Sequence, residues 1–174
     1  IIFCIMMFFQ LSSINNQILA NWSVALTITS DEANFVRYFG GDASATNEFD
    51  NGIDVPAAPP GMTYYAYFEI PQFPYYLDTD MRPWVAPYEE SIQWTLKIVN
   101  ATGKTTAISW DSSTLPSEGT FTIEGINGSI DMRSQSSVSF NGDKVITIRY
   151  QSTPSESWSV SLTITGDGIT FTRS

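Results

Sequence analysis

The carboxylates Asp42, Glu48, Asp50 and Asp54 fall in one short stretch, together with Asn47 and Asn51. Hard oxygen donors crowded onto a turn-rich segment suit Ca²⁺, which accepts six to eight oxygens in loose geometry. Binding would neutralise their mutual repulsion and pin the segment. The spacing is not that of an EF-hand, and Asx side chains also cap turns without any metal. A Ca²⁺ site and a hydrogen-bonded loop therefore both stay open. A second set, Asp78 and Asp80 with Glu89-Glu90, could supply the acid and base of glycoside hydrolysis, which needs two carboxylates at a defined separation. Acidic pairs on β-loops are common, and the reading here is that no residue is catalytic. A third set lies in "YYAYFEIPQFPYYLDTDMRPW". Tyr64, Tyr65, Tyr67, Tyr75, Tyr76 and Trp84 could form a stacking platform for sugars, although alternation along a strand turns about half of such residues to the core.

The rest of the composition removes other chemistry. Histidine is absent, which excludes Ser-His-Asp and Cys-His nucleophile systems, the usual zinc sites and any imidazole switch. Cys4 is the only cysteine, so no intrachain disulfide forms. Eighteen acidic residues against eight basic ones give a net charge of −10, which repels phosphate backbones and anionic membrane surfaces. Nucleic acid is not an expected partner. With 43% hydrophobic and 15% charged residues, the chain is too apolar for disorder, and its length suits one domain with a full core.

The elements that must hold these residues read as strands throughout. Period-2 alternation appears in Trp22/Val24/Leu26/Ile28, Ile92/Trp94/Leu96/Ile98, Phe121/Ile123, Val138/Phe140 and Ile146/Ile148/Tyr150. Turn signals separate them, among them Gly40-Gly41, Asn51-Gly52, Thr102-Gly103, Asn127-Gly128 and Asn141-Gly142. Many short strands with regular turns predict an all-β fold, an antiparallel two-sheet β-sandwich of immunoglobulin-like or jelly-roll-like kind. Residues 40–61 break the rhythm as a long connection, which in a compact domain is functional or specifically held. Asp131 and Arg133 share a strand face, and the default expectation pairs the arginine with a loop carboxylate. Trp110-Asp111 reads as a strand end entering an Asx turn. Asn21, Asn100 and Asn127 each open a glycosylation sequon.

Both ends of the chain stand apart. "WSVALTIT" from Trp22 returns as "WSVSLTIT" from Trp158, with eight identities in ten across 22–31 and 158–167, and Phe35/Phe171 and Arg37/Arg173 in register. Trp158, Val160, Leu162 and Ile164 are accordingly expected on a buried face like that of Trp22, Val24, Leu26 and Ile28. Residues 1–20, "IIFCIMMFFQLSSINNQILA", form an apolar block and a polar stretch resembling a secretory signal, with cleavage plausible after Ala20. The block is too short to span a bilayer. The expected organisation is an apolar signal-like or assembly segment at 1–20, a β-sandwich module at 21–155 and a repeated hairpin at 156–174.

"YFGGDASATNEFDNGIDVPAAPPG", "WTLKIV", "ISWDSSTLPSEGTFTI" and "IDMRSQSSVSF" together resemble a module of secreted bacterial surface proteins. Its pattern reads Phe-Gly, Ala-Thr-Asp, Phe-Asp, Asp-x-Pro-x-Pro-Pro, Trp-Asp and Asp-Met-Arg. The likeness spans about residues 22–150, with Asn47 where the pattern carries Asp. It implies a secreted, multi-module, non-enzymatic context in which modules occur in tandem. The sequence reading is thus a non-enzymatic extracellular structural protein with no organic cofactor. It would assemble with itself as a homo-oligomer or filament by exchanging terminal segments. The alternative is a secreted carbohydrate-binding or adhesion module whose partner is a polysaccharide.

Overall fold

The computed structural model describes residues 21–60, 63–84 and 91–153, and the backbone of 164–166 and 169–171. The described chain is all-β. The strands are β1 (Trp22–Thr29), β2 (Asn34–Asp42), β3 (Val55–Pro56), β4 (Tyr64–Glu69), β5 (Tyr76–Pro83), β6 (Ile92–Asn100) and β7 (Thr105–Ser109). After a 3₁₀ turn at Ser112–Thr114 come β8 (Thr120–Glu124), β9 (Ile130–Asp131), β10 (Ser137–Asn141), β11 (Lys144–Gln151), β12 (Ile164–Gly166) and β13 (Ile169–Phe171).

The first eleven strands form one continuous curled sheet in the order β10-β7-β1-β2-β5-β4-β6-β11-β8-β9, with β3 beside β5. This departs from the expected pair of purely antiparallel sheets. Strands β2 and β5 run parallel, Tyr38 opposite Thr79 through Asp42 opposite Pro83, and they join what would otherwise be two halves. Alternation identifies which side chains are buried but not which strands are neighbours, so it could not reveal this pair. A parallel pair needs a crossover, and here the crossover contains the long connection, β3 and β4.

The sheet is a half-barrel whose end strands, β9 and β10, are consecutive in the chain. The backbone N–H of Met132 donates to Phe121 O at 2.9 Å, and that of Trp110 donates to Ser136 O at 2.9 Å. Trp110 Nε1 also donates to Met132 O at 2.8 Å. The turn after β9 is therefore tied to both sides of the seam.

Inside the curl, Val24, Leu26 and Ile28 of β1 are fully buried, with Leu96, Ile98, Ile108, Ile123, Ile146 and Ile148 from the other strands. Trp22 is half-buried at one end. Its ring meets Trp84, Phe121, Phe39 and Trp94 edge-on at 5.1, 5.3, 5.8 and 5.9 Å. Edge-to-face contacts of this kind add stabilisation beyond the area they bury.

Strands β12 and β13 form a separate two-stranded sheet. Ile164 faces Phe171 and Thr165 faces Thr170; the first hairpin sets Ile28 against Phe35 and Thr29 against Asn34. The two hairpins share one register at an offset of 136 residues. The side chains of Trp158, Val160, Leu162 and Ile164 lie outside the described residues, as do residues 1–20.

Candidate functional site

The acidic stretch runs from the end of β2 to β3 and lies against β5. Its carboxylates are engaged locally. Asp42 accepts from Ser44 N at 2.7 Å and from Asn21 Nδ2 at 2.5 Å, while its carbonyl takes the N–H of Trp84 at 3.0 Å. Asp50 accepts from Thr46 N at 2.5 Å and from Thr46 Oγ1 at 3.0 Å. Asp54, buried, accepts from Asp50 N and Met81 N, each at 2.8 Å. Glu48 sits apart and accepts from Gln72 Nε2 at 3.5 Å. Among the described residues no three acidic or sulfur-bearing side chains converge as a metal cluster. Asp42, Glu48, Asp50 and Asp54 are thus spread along an Asx-rich loop in this structure, bonded chiefly to backbone N–H groups.

Beneath that loop lies a buried charge arrangement that sequence reasoning missed. Asp80 on β5 is almost wholly buried and accepts from Arg82 Nη2 at 2.8 Å. Arg82 Nη1 reaches up to Asn47 O at 2.7 Å and so fastens the loop to the strand. Burial pushes the Asp80 carboxyl up to about 6 despite Arg82, and nearby Asp54 pushes the same way. Asp54 is itself raised, again chiefly by burial, with its two backbone hydrogen bonds pulling the other way. The available signal was Asp80 and Arg82 two apart on one strand, opposite charges that alternation places on the same face.

Asp78 and Asp80 do not form a free acid–base pair. Asp78 is bound by Arg37 at 3.1 Å and Asp80 by Arg82. Glu89 and Glu90 lie outside the described residues. Arg37 also closes a gap in the sheet. Before Tyr38, where the pairing of β2 with β5 begins, the guanidinium crosses to Ala66 O on β4 at 2.6 Å, and it lies over the rings of Phe35 and Tyr65 at 4.9 and 5.5 Å.

The six aromatics of the proposed sugar platform separate into three places. Tyr64 and Trp84 belong to the core, Tyr64 sharing a 3.3 Å hydrogen bond with Thr106. Tyr65, Tyr67 and Tyr76 cluster on another surface, Tyr67 buried under Tyr76 with the rings edge-on at 4.9 Å. Tyr65 donates to Ala58 O at 2.8 Å, and Lys97 pairs with Glu69 at 2.6 Å. Tyr75, at φ +69°, sits on the turn before β5 beside Phe73. Phe73 is 79% exposed and Tyr75 48%, with the two rings perpendicular at 5.9 Å.

Other singled-out residues are architectural. Arg133 does not pair with a loop carboxylate: its guanidinium donates to the carbonyls of Pro116, Glu118 and Gly119, since a fork of donors suits a turn rich in unpaired carbonyls. Asp131 turns back to Arg133 N at 2.7 Å, and this bond holds its carboxyl below the usual range. Asp111 caps the 3₁₀ turn through Ser113 N, as the Asx reading expects. Asn100 is buried, its amide bonded to Lys104 O and Thr106 Oγ1, whereas Asn21 and Asn127 are exposed. No helix among the described residues is long and apolar enough to cross a membrane. Comparison with protein-family models, with curated proteins and with solved structures gives no match.

Proposed function

We propose that this chain is a non-enzymatic structural module of the cell exterior, the subunit of a surface filament or array joined through its terminal segments. The observation that carries the reading is the second hairpin. It repeats the register of β1 and β2 yet stands outside the eleven-stranded sheet. An isolated two-stranded hairpin is only marginally stable in water, so this one needs a partner sheet, and strand addition provides one through backbone hydrogen bonds. A contact between unlike surfaces that does not close propagates as a filament. Secretion belongs to the same reading, supported by the signal-like composition of residues 1–20. So does a sandwich description of the fold, supported by the contacts of Trp22 with Trp94 and Phe121 across the curl.

Electron microscopy of the purified protein tests this. Fibres are expected from the full chain and not from chains lacking residues 1–20 or 156–174, each of which keeps a folded β core. Fibres that survive both deletions, or a full chain that stays monomeric at high concentration, rule the reading out.

A second reading, adhesion to a polysaccharide, rests on the exposed Phe73 and Tyr75. Their rings are perpendicular rather than coplanar, so the tip offers one stacking face at a time. Retardation in a polysaccharide affinity gel, lost in Phe73→Ala, is the outcome that would favour it.

A further inference from the structure

The first hairpin occupies a defined place in the sheet. Strand β1 pairs with β7 on one side, and β2 leads to β5 on the other. What this place selects is the inward set of side chains: Trp22, Val24, Leu26, Ile28, Phe35 and the buried Arg37. All six recur in the second hairpin as Trp158, Val160, Leu162, Ile164, Phe171 and Arg173. With one exception the substitutions between the copies fall elsewhere. Ala25, Asn34 and Val36 are exposed strand positions, and Ser30 and Glu32 lie in the turn. The exception is Ala33, half-buried against the core, which is Ile169 in the repeat. A place that reads the inward face distinguishes the two hairpins only by the larger apolar side chain at that one position.

The second hairpin is also tethered beside that place. Trp22 at the start of β1 and Tyr150 at the end of β11 pack on the same ring, Trp84, at 5.1 and 4.9 Å. A cleft of about 260 Å³ lined by Asn21, Trp22, Trp84 and residues 114–118 runs along the same edge. Gly119, next in the chain, lies close against Tyr150 and Gln151. The seven-residue step from Gln151 to Trp158 reaches about 23 Å when extended.

We infer that residues 158–173 compete within their own chain with residues 22–37 for one position between β7 and β5. A short tether gives the second hairpin a high effective concentration at that position. Two occupants whose inward faces differ only at Ala33 and Ile169 bind with similar free energy, so neither excludes the other by a large factor. The turn sequences tilt the balance toward the newcomer: Asp167-Gly168 is a favoured two-residue hairpin connection, whereas the first hairpin carries Asp31-Glu32 at the same two positions. When the second hairpin is in place, Tyr38–Asp42 stay on β5 while residues 22–37, and everything before them, leave the folded body. The chain thus carries a device that releases its N-terminal arm without unfolding the barrel. This goes beyond the filament reading and does not depend on it.

Paired cysteines test the exchange in the full chain. Thr27 is the Cα partner of Ser109 across β1 and β7, and Thr163 is its counterpart in the repeat. Directly opposed strand residues lie within disulfide range. In a Cys4→Ser background, Thr163→Cys with Ser109→Cys is expected to form an intrachain disulfide under mild oxidation. A disulfide only between chains, or none, overturns the inference. Truncation gives a second readout. Leu162→Ala and Leu26→Ala are each expected to lower the melting temperature less than half as far as the double substitution, because either hairpin can stand in for the other. An effect of Leu26→Ala equal to the double substitution, or failure of that single variant to fold, overturns it. Absence of fibres would sink the filament reading and leave both of these readouts unaffected.

Discussion

Asp80 and Arg82 are the residues at which the energetics are least symmetrical. The carboxyl is held at about 6 by burial, well above its ordinary value of 3.8. Between those two pH values the folded chain binds more protons than the unfolded one, so this group's contribution to stability falls as pH rises through the window. Raised Asp54 acts in the same direction. Asp111 and Asp131 are lowered, and their contributions are present above the ordinary carboxylate value and lost below it. The melting temperature should therefore rise as the pH drops from 7 to 5 and fall again in stronger acid. Asp80→Asn is expected to be tolerated at pH 7 and to flatten the slope between 5 and 7, because the neutral side chain is the form the site favours. Arg82→Met is expected to cost about 3–5 kcal/mol, since it strands a buried carboxylate. Thermal melts of both variants across pH check this pair. Equal losses at pH 7 would refute it.

At the scale of elements, the antiparallel pairing of β1 with β2 leaves no space at Gly40, directly opposite Ser23. A Cβ added at Gly40 would lie 2.2 Å from the carbonyl oxygen of Trp22 and 2.9 Å from Ser23 Cα. Backbone atoms in a paired strand cannot step aside. Gly40→Ala should cost about 3 kcal/mol, the upper end for overpacking, as read from the denaturant midpoint at constant m-value. The acidic loop is the other element with a definite expectation. Asp42, Asp50 and Asp54 each take backbone N–H donors, and Arg82 ties the loop to β5. A loop held in this way should melt at the same temperature with and without a chelator. A fall on chelation, with heat on Ca²⁺ addition, would instead assign the loop to a bound cation, which stabilises by mass action.

The whole molecule depends on its aromatic centre, where both sides of the curl meet. Trp94 on β6 is fully buried and touches Trp22 and Phe39. It has no counterpart in the repeated hairpin, so nothing else in the chain can take its place. Trp94→Ala is expected to cost about 3–5 kcal/mol, the range for large core aromatics, and to lower the unfolding midpoint by tryptophan fluorescence and by circular dichroism together. Non-coincident transitions would show that the two sides of the sheet unfold separately, contrary to a sheet closed at its seam by Met132 and Trp110.

Strand alternation determined much of this protein in advance. Val24, Leu26 and Ile28, Trp94, Leu96 and Ile98, and Ile146, Ile148 and Tyr150 all lie on buried faces, because a period of two binds each residue to one side of its own strand. The repeat at Trp158 predicted a second hairpin, and its register is that of the first. Asp111 as a turn cap was equally legible, since an Asx turn is closed within three residues. What local pattern could not carry was partnership over distance. The parallel seam of β2 with β5, the crossing of Arg37 to Ala66 and the pairing of Arg82 with Asp80 under Asn47 depend on which strands the crossover brings together. Only the tertiary structure decided them. The six aromatics after residue 63 show the same division. Their number was visible in the sequence, but their separation into core, covered cluster and exposed tip follows from where β4 bends into β5. Residue types set the strength of each interaction, and chain topology chose its partner.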